Sequence, residues 1–331
     1  MFLQRIITFF MALPFILSTM SAPDRPETEV IINPNATNPF IAEYGTPWIS
    51  AHRSGAGLAP ENTLLAFQAV LDAENFDVDS FEFDVKLTRD DQLILLHNPT
   101  FDGTSNAAEA FGHPWILPET YTLKQLQVLN LGENFQRGGQ YPYRGLRGED
   151  IPEGLRVVEV GELLSYIEEV ADKEYTYVIE IKDGFLWGKK SIDRLYAILK
   201  ELGILDRTVV GTFWPGLPYY MDWKYPDMLR SSSLFEVLQF YYYARTNADF
   251  TRLNAKYTAL QLPCAENEMP WPFNLVNLTT KEVVNYAHKY NLAVQYWTVN
   301  TQEIARTLRE NGGDLMMSDF PDMVWRVYGY G

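Results

Sequence analysis

The sequence predicts an α/β protein of the TIM (β/α)8 barrel class, with an insertion between the second and third barrel strands. Two observations carry that expectation. Eight short apolar segments follow one another: "WISAHR", "DSFEFDVKLT", "YTYVIEIK", "RTVVGTF", "MLRSSSLF", "YTALQLP", "LAVQYWTV" and "GDLMMSDF". Stretches with helical periodicity separate most of them, notably 61–74, 159–172, 189–202 and 280–290, as a repeating strand-helix chain requires. A doubly wound open sheet is the alternative architecture.

Before the first strand, residues 1–22 carry one early cation, Arg5, then an apolar stretch and a small-residue end. That pattern predicts an export signal or, left uncleaved, a membrane anchor, so the body is expected to be extracytoplasmic. Residues 23–46 are rich in Pro, Asn and Thr without sustained periodicity and read as a linker or surface arm. The barrel is expected over 47–331, beginning near Trp48. Past the second strand, the apolar piece "QLILLHNP" leads into a segment too long for a plain strand-to-helix connection. It mixes Gly, Pro and aromatics with one expected helix at 123–130, which places an insertion at about 100–158, over the mouth of the barrel.

Composition narrows the function classes. A chain of 331 residues that is 47% hydrophobic can bury a large core. With 27 Lys and Arg against 43 Asp and Glu, its net charge of -16 repels a nucleic-acid backbone and anionic lipid. A local basic pocket for one phosphate remains compatible with that balance. Cys264 stands alone, so the chain forms no internal disulfide.

Strand geometry then singles out the chemistry. Side chains alternate across a strand, so Phe81, Phe83, Val85 and Leu87 share one face, and Glu82, Asp84, Lys86 and Thr88 share the other. An isolated E-x-D also fits an edge strand with its acids in water. In a barrel the acids point inward, where adjacent carboxylates need a cation or a proton. The next strand repeats the design, with Glu180 and Lys182 on one face and Ile179 and Ile181 on the other. Glu82, Asp84 and Glu180 are oxygen ligands of the kind Mg²⁺ or Ca²⁺ takes, and Lys182 would stand by as a point charge for an anionic substrate. His52 and His97 close the apolar runs "WISAHR" and "LILLHN", at strand ends where barrel enzymes carry catalytic groups. His113 and His288 read as structural.

Taken together, "AHRSGAGLAPENTLLAF", "FEFDVKLTRDDQLILLHNPT", "VIEIK", "YWTVN" and "GGDLMMSDFPD" resemble the glycerophosphodiester phosphodiesterase family in order and spacing, from about Trp48 to the C-terminus. The resemblance implies a TIM barrel that hydrolyses glycerophosphodiesters with one divalent cation. It puts the family's His-Arg motif and downstream PENT on His52, Arg53 and 60–63. Its acidic pair falls on Glu82 and Asp84, its second histidine on His97, and its E-x-K on Glu180 and Lys182. A late pocket tryptophan falls on Trp297. Two positions depart: Ser54 replaces the usual Gly, and Asn98 replaces the usual Asp beside His97.

The expected activity is therefore metal-dependent hydrolysis of a small-molecule glycerophosphodiester, with His52 and His97 moving protons and Arg53, Lys182 and Trp297 binding substrate. Two alternatives stand beside it. One is a phospholipase D-like enzyme acting on lysophospholipids or sphingolipids, with Phe111, Trp115, Ile116 and Leu117 of the insertion capping a lipid tail. The other is a non-catalytic phosphodiester-binding barrel, which the retention of both histidines and all three acids disfavours. Membrane or cell-wall association would run through the N-terminus.

Overall fold

In the computed structural model, the described residues are 29, 30, 36–264 and 276–330. They form two compact units, one comprising Trp48–Ser231 with 317–330 and the other the described residues before Trp48 with those of Ser232–Met316. The expected export signal at 1–22 lies outside the described residues. No helix among the described residues is long and apolar enough to cross a membrane.

The larger unit is built on β1 (Trp48–Ala51), β2 (Ser80–Leu87), β3 (Leu93–Leu95), β4 (Thr176–Ile181) and β5 (Thr208–Gly211). β1, β2, β4 and β5 run parallel, in the lateral order β5, β4, β2, β1. The short β3, read in the sequence only as an apolar piece, folds back antiparallel on β2 with Val85 opposite Leu95. Every residue of β2 is buried, as expected for a parallel strand covered on both faces. Its apolar face meets α1 (Leu64–Leu71), where the Phe67 ring centroid lies 5.0 Å from Phe81 and 5.6 Å from Phe83. The helix begins later than the sequence pattern suggested. Asn62 is left-handed at φ 55, and Thr63 caps the first turn by accepting the Ala66 N–H.

"MLRSSSLF" is not a strand. Its pairing is reduced to isolated contacts: Arg230 bridges Val210 in parallel, Ser231 forms a further bridge, and the Ser232 N–H donates to the Ala259 carbonyl. Ser233 and Glu236 form a reciprocal capping box that starts a helix at Leu234, and this takes the chain out of extended geometry. The buried Arg230 adds a second constraint, since its guanidinium forks onto both carboxylate oxygens of Asp222.

The insertion shares one core with β3 and the residue that follows it. Ile94, Leu96, Phe101, Ala107, Ile116, Leu126, Leu129, Leu131 and Val157 pack as one buried cluster, with Phe111 against it. Ile116 is thus an internal residue of the insertion and not part of a cap over a ligand. The expected helix at 123–130 is a short Leu123–Leu126 turn closed by a Thr122/Gln125 capping box.

In the smaller unit, β6 (Ala259–Pro263), β7 (Ala293–Trp297) and the start of β8 (Leu315–Ser318) pair in parallel. The arm before Trp48 is tied down by polar contacts in this unit. Asn38 Nδ2 donates to the carbonyls of Thr258 and Asn291, and the Ala42 N–H donates to Asp314. Asp314 also accepts from His288, a buried pairing that matches the structural reading of that histidine. His113 sits exposed in the insertion against Tyr121.

Candidate active site

At the end of β1 the chain turns abruptly, with Arg53, Ser54 and Gly55 all at positive φ (46, 68 and 93). Left-handed backbone is ordinary for Gly and costly for Arg and Ser. The turn has a use. It points the Arg53 backbone N–H at Glu82 Oε2, 2.8 Å away, while the Arg53 side chain runs back across the site. There the guanidinium donates to Glu61 Oε2 at 3.1 Å and to His97 Nε2 at 2.9 Å, and its Nε lies 4.0 Å from Asp84 Oδ2.

The parallel register of β2 and β4 sets Asp84 directly opposite Glu180. One oxygen from each of Glu82, Asp84 and Glu180 falls within 4.8 Å of the others. Lys182 reaches between two of them, 3.0 Å from Asp84 and 2.9 Å from Glu180. Asn62 closes the remaining side of Asp84. Its Nδ2 donates to Asp84 Oδ2 at 2.9 Å and its Oδ1 accepts the Asp84 N–H.

The charges are unequally placed. Burial and the neighbouring Asp84 push Glu82 up to about 7. Glu180 is raised as well, by burial above all, although Lys182 opposes the shift. Burial acts on Asp84 too, but Lys182, His97 and Asn62 outweigh it and hold that carboxyl below its ordinary range. Burial would pull Lys182 down, yet Asp84 and Glu180 keep it above its usual value. Three hard oxygen donors, two of them pushed toward protonation by burial and by like charge, form a donor set suited to a divalent cation.

The two histidines are set in opposite senses. His52 Nδ1–H donates to Asp319 Oδ1 at 2.6 Å, and its Nε2 faces Glu82 at 3.8 Å. Burial works against its charge, but Glu82 and Asp319 prevail and raise it above the ordinary value. His97 accepts from Arg53 at Nε2, so its proton sits on Nδ1, which donates to Asn98 Oδ1 at 3.2 Å. Burial, with Lys182 and Arg53 nearby, drops His97 to about 4, despite the pull of Asp84.

The structure thus brings His52, Arg53, Glu82, Asp84, His97, Glu180 and Lys182 together in the larger unit. Trp297 ends β7 in the smaller unit. Sequence reasoning did not assign Glu61, Asn62 or Asp319 to the site. Signals for them were present: Glu61 and Asn62 lie in the quoted PENT segment, and Asp319 follows β8 at the strand end where barrel enzymes place functional groups.

Residues 52–323 match the Glycerophosphoryl diester phosphodiesterase family. A curated relative, the glycerophosphodiester phosphodiesterase of Caldanaerobacter subterraneus subsp. tengcongensis, is 25% identical over 274 residues, covering 83% of this chain and 94% of the relative. A crystal structure from Silicibacter pomeroyi DSS-3 superposes with a TM-score of 0.68 at 22% identity, over 88% of this chain and 96% of its own. An Oleispira antarctica phosphodiesterase, solved in complex with the product sn-glycerol-3-phosphate, gives a TM-score of 0.60 at 18% identity, over 85% and 96% of the two chains. With parallel strands and helices alternating along most of the chain and the family match running from His52 into the last helix, this chain is a TIM (β/α)8 barrel belonging to the glycerophosphoryl diester phosphodiesterase family.

Proposed function

We propose that the protein hydrolyses glycerophosphodiesters to glycerol 3-phosphate and an alcohol, with one divalent cation, Mg²⁺ or Ca²⁺, held by Glu82, Asp84 and Glu180. The observation that carries the reading is the convergence of those three oxygens within 4.8 Å, beside two histidines whose proton affinities are pushed apart. Bound there, the cation would supply Lewis-acid stabilisation of phosphoryl oxygens.

The chain's own residues supply the rest. Lys182 adds a point charge for the phosphate, and the Arg53 fork matches two of its oxygens. When Arg53 turns to substrate it releases His97 Nε2, whose neutral lone pair then accepts the proton of the glycerol hydroxyl adjoining the phosphate. His52, kept protonated by Asp319 and Glu82, donates to the departing alcohol. The roles reverse as water opens the resulting cyclic phosphate. Asn62 holds Asp84, and Glu61 holds Arg53, in the orientations this needs. Trp297 is assigned to the substrate pocket by the family resemblance.

The test is a release assay for glycerol 3-phosphate across glycerophosphodiester head groups, with and without a chelator. Chelator-sensitive release restored by Mg²⁺ or Ca²⁺ supports the reading, and no release with either cation sinks it. We further propose that residues 1–22 export the protein. A precursor-sized product confined to the cytoplasm of an expressing cell would refute that.

A further inference from the structure

An exposed apolar cluster beside the site lies where β4 gives way to the helix Phe185–Leu202. Phe185 and Leu186 are 78% and 74% exposed, and Trp187, Phe213 and Trp214 are exposed as well. A soluble chain seldom offers water a cluster of this kind without an occupant for it.

The cluster is built into the structure. Phe185 holds a left-handed backbone, φ 50, which a bulky side chain adopts only under constraint. Its ring packs on Trp214 with centroids 5.1 Å apart. The Trp214 indole N–H donates to the Lys182 carbonyl at 2.8 Å, and the indole lies so close over Gly184 that a Cβ there would come within 2.6 Å of it. The apolar tip is therefore fastened to the residue whose ammonium bridges Asp84 and Glu180.

We propose that Phe185, Leu186 and Trp187, backed by Trp214, dock the protein on a zwitterionic lipid-water interface, so that the site receives glycerophosphodiesters carried in lipid. Deepening the proposed function, the inference rests on that reading of the site. Phe, Leu and Trp followed by Lys189 and Lys190 is the composition of an interfacial anchor. The charge pattern favours zwitterionic over anionic lipid. Lys190 is offset by Asp91 at 3.2 Å, and the net charge of -16 opposes a negative surface. The same net charge opposes a second copy of the chain as the occupant.

The test uses the full chain with an environment-sensitive fluorophore on Leu186→Cys. Cys264 stays unlabelled because it is buried and its thiol is pushed up to about 12. Phosphatidylcholine vesicles should blue-shift the label, while a control label on exposed Glu303→Cys stays unchanged. Phe185→Ser/Leu186→Ser should hydrolyse lysophosphatidylcholine carried in those vesicles about tenfold more slowly, with soluble glycerophosphocholine turned over at the parental rate. The proposal is overturned by a silent label at 186, by equal shifts at both labels, by a shift on concentrating the protein without vesicles, or by an unchanged vesicle rate. If the parent protein turns over neither substrate, the proposed function falls, whereas the label reports docking independently.

Discussion

His52 with Asp319 is a half-buried histidine-aspartate pair and His288 with Asp314 a buried one, yet the first faces the acidic cluster and the second a seam of the fold. Asp314 accepts from His288, from the Val294 N–H and from the Ala42 N–H, so its oxygens serve backbone as well as side chain. His52 instead keeps its second nitrogen 3.8 Å from Glu82, beyond hydrogen-bond reach. The lesson is that pairing alone does not mark a functional histidine. What marks it is a ring nitrogen facing an incomplete cluster of charge.

The sharpest way to break this contrast is to truncate each histidine. His52→Ala and His97→Ala should each lower kcat for glycerophosphodiester hydrolysis by about 10³ while the melting temperature holds, since a positioned acid or base is worth about 10² to 10⁴. His288→Ala should do the reverse, lowering stability by about 3 kcal/mol in urea titration with the kcat of folded protein preserved. A loss of kcat at His288 equal to that at His52 would erase the distinction.

The incomplete cluster can be probed next. Glu180→Gln should raise the cation concentration for half-maximal activity by at least about tenfold, because even residues one shell out from a metal cost that much. Unchanged cation dependence would remove Glu180 from the ligand set. A smaller effect concerns pH. His97, held down to about 4, is neutral and able to accept a proton throughout the range above that value. The acid limb of kcat/KM under saturating cation should therefore fall below 6, and Asn98→Asp, by adding a negative charge beside Nδ1, should move it up by about one pH unit. A limb indifferent to Asn98→Asp would separate His97 from the rate. The smallest effect is at the turn. Ser54 is left-handed and fully buried, and its hydroxyl makes no hydrogen bond, so Ser54→Gly should stabilise the fold by about 1 kcal/mol in the urea midpoint.

Much of this was legible because strand alternation is rigid. Glu82, Asp84 and Glu180 share a face for the same reason that Phe81, Phe83 and Ile179 share the other, and both patterns survive folding unchanged. Residues outside strands were harder to read. Glu61 and Asn62 act through a left-handed turn with no periodicity, and Asp319 lies hundreds of positions from His52. Arg230 defeated the strand expected around it for a different reason. Its partner Asp222 and the capping box at Ser233 are contacts that a window of hydrophobicity does not contain.

The core that the insertion shares with β3 has a consequence for motion. A segment whose apolar side chains pack among themselves and on Ile94 and Leu96 can open as one cooperative piece, parting from β3 while the parallel strands stay paired. Arg137 of that segment donates to the carbonyl of Leu58, in the loop that carries His52 and Arg53. Breathing of the insertion would thereby reach the turn that carries His52 and Arg53, so that amide exchange at Leu126 and Leu129 and the exchange of product for substrate would share a clock.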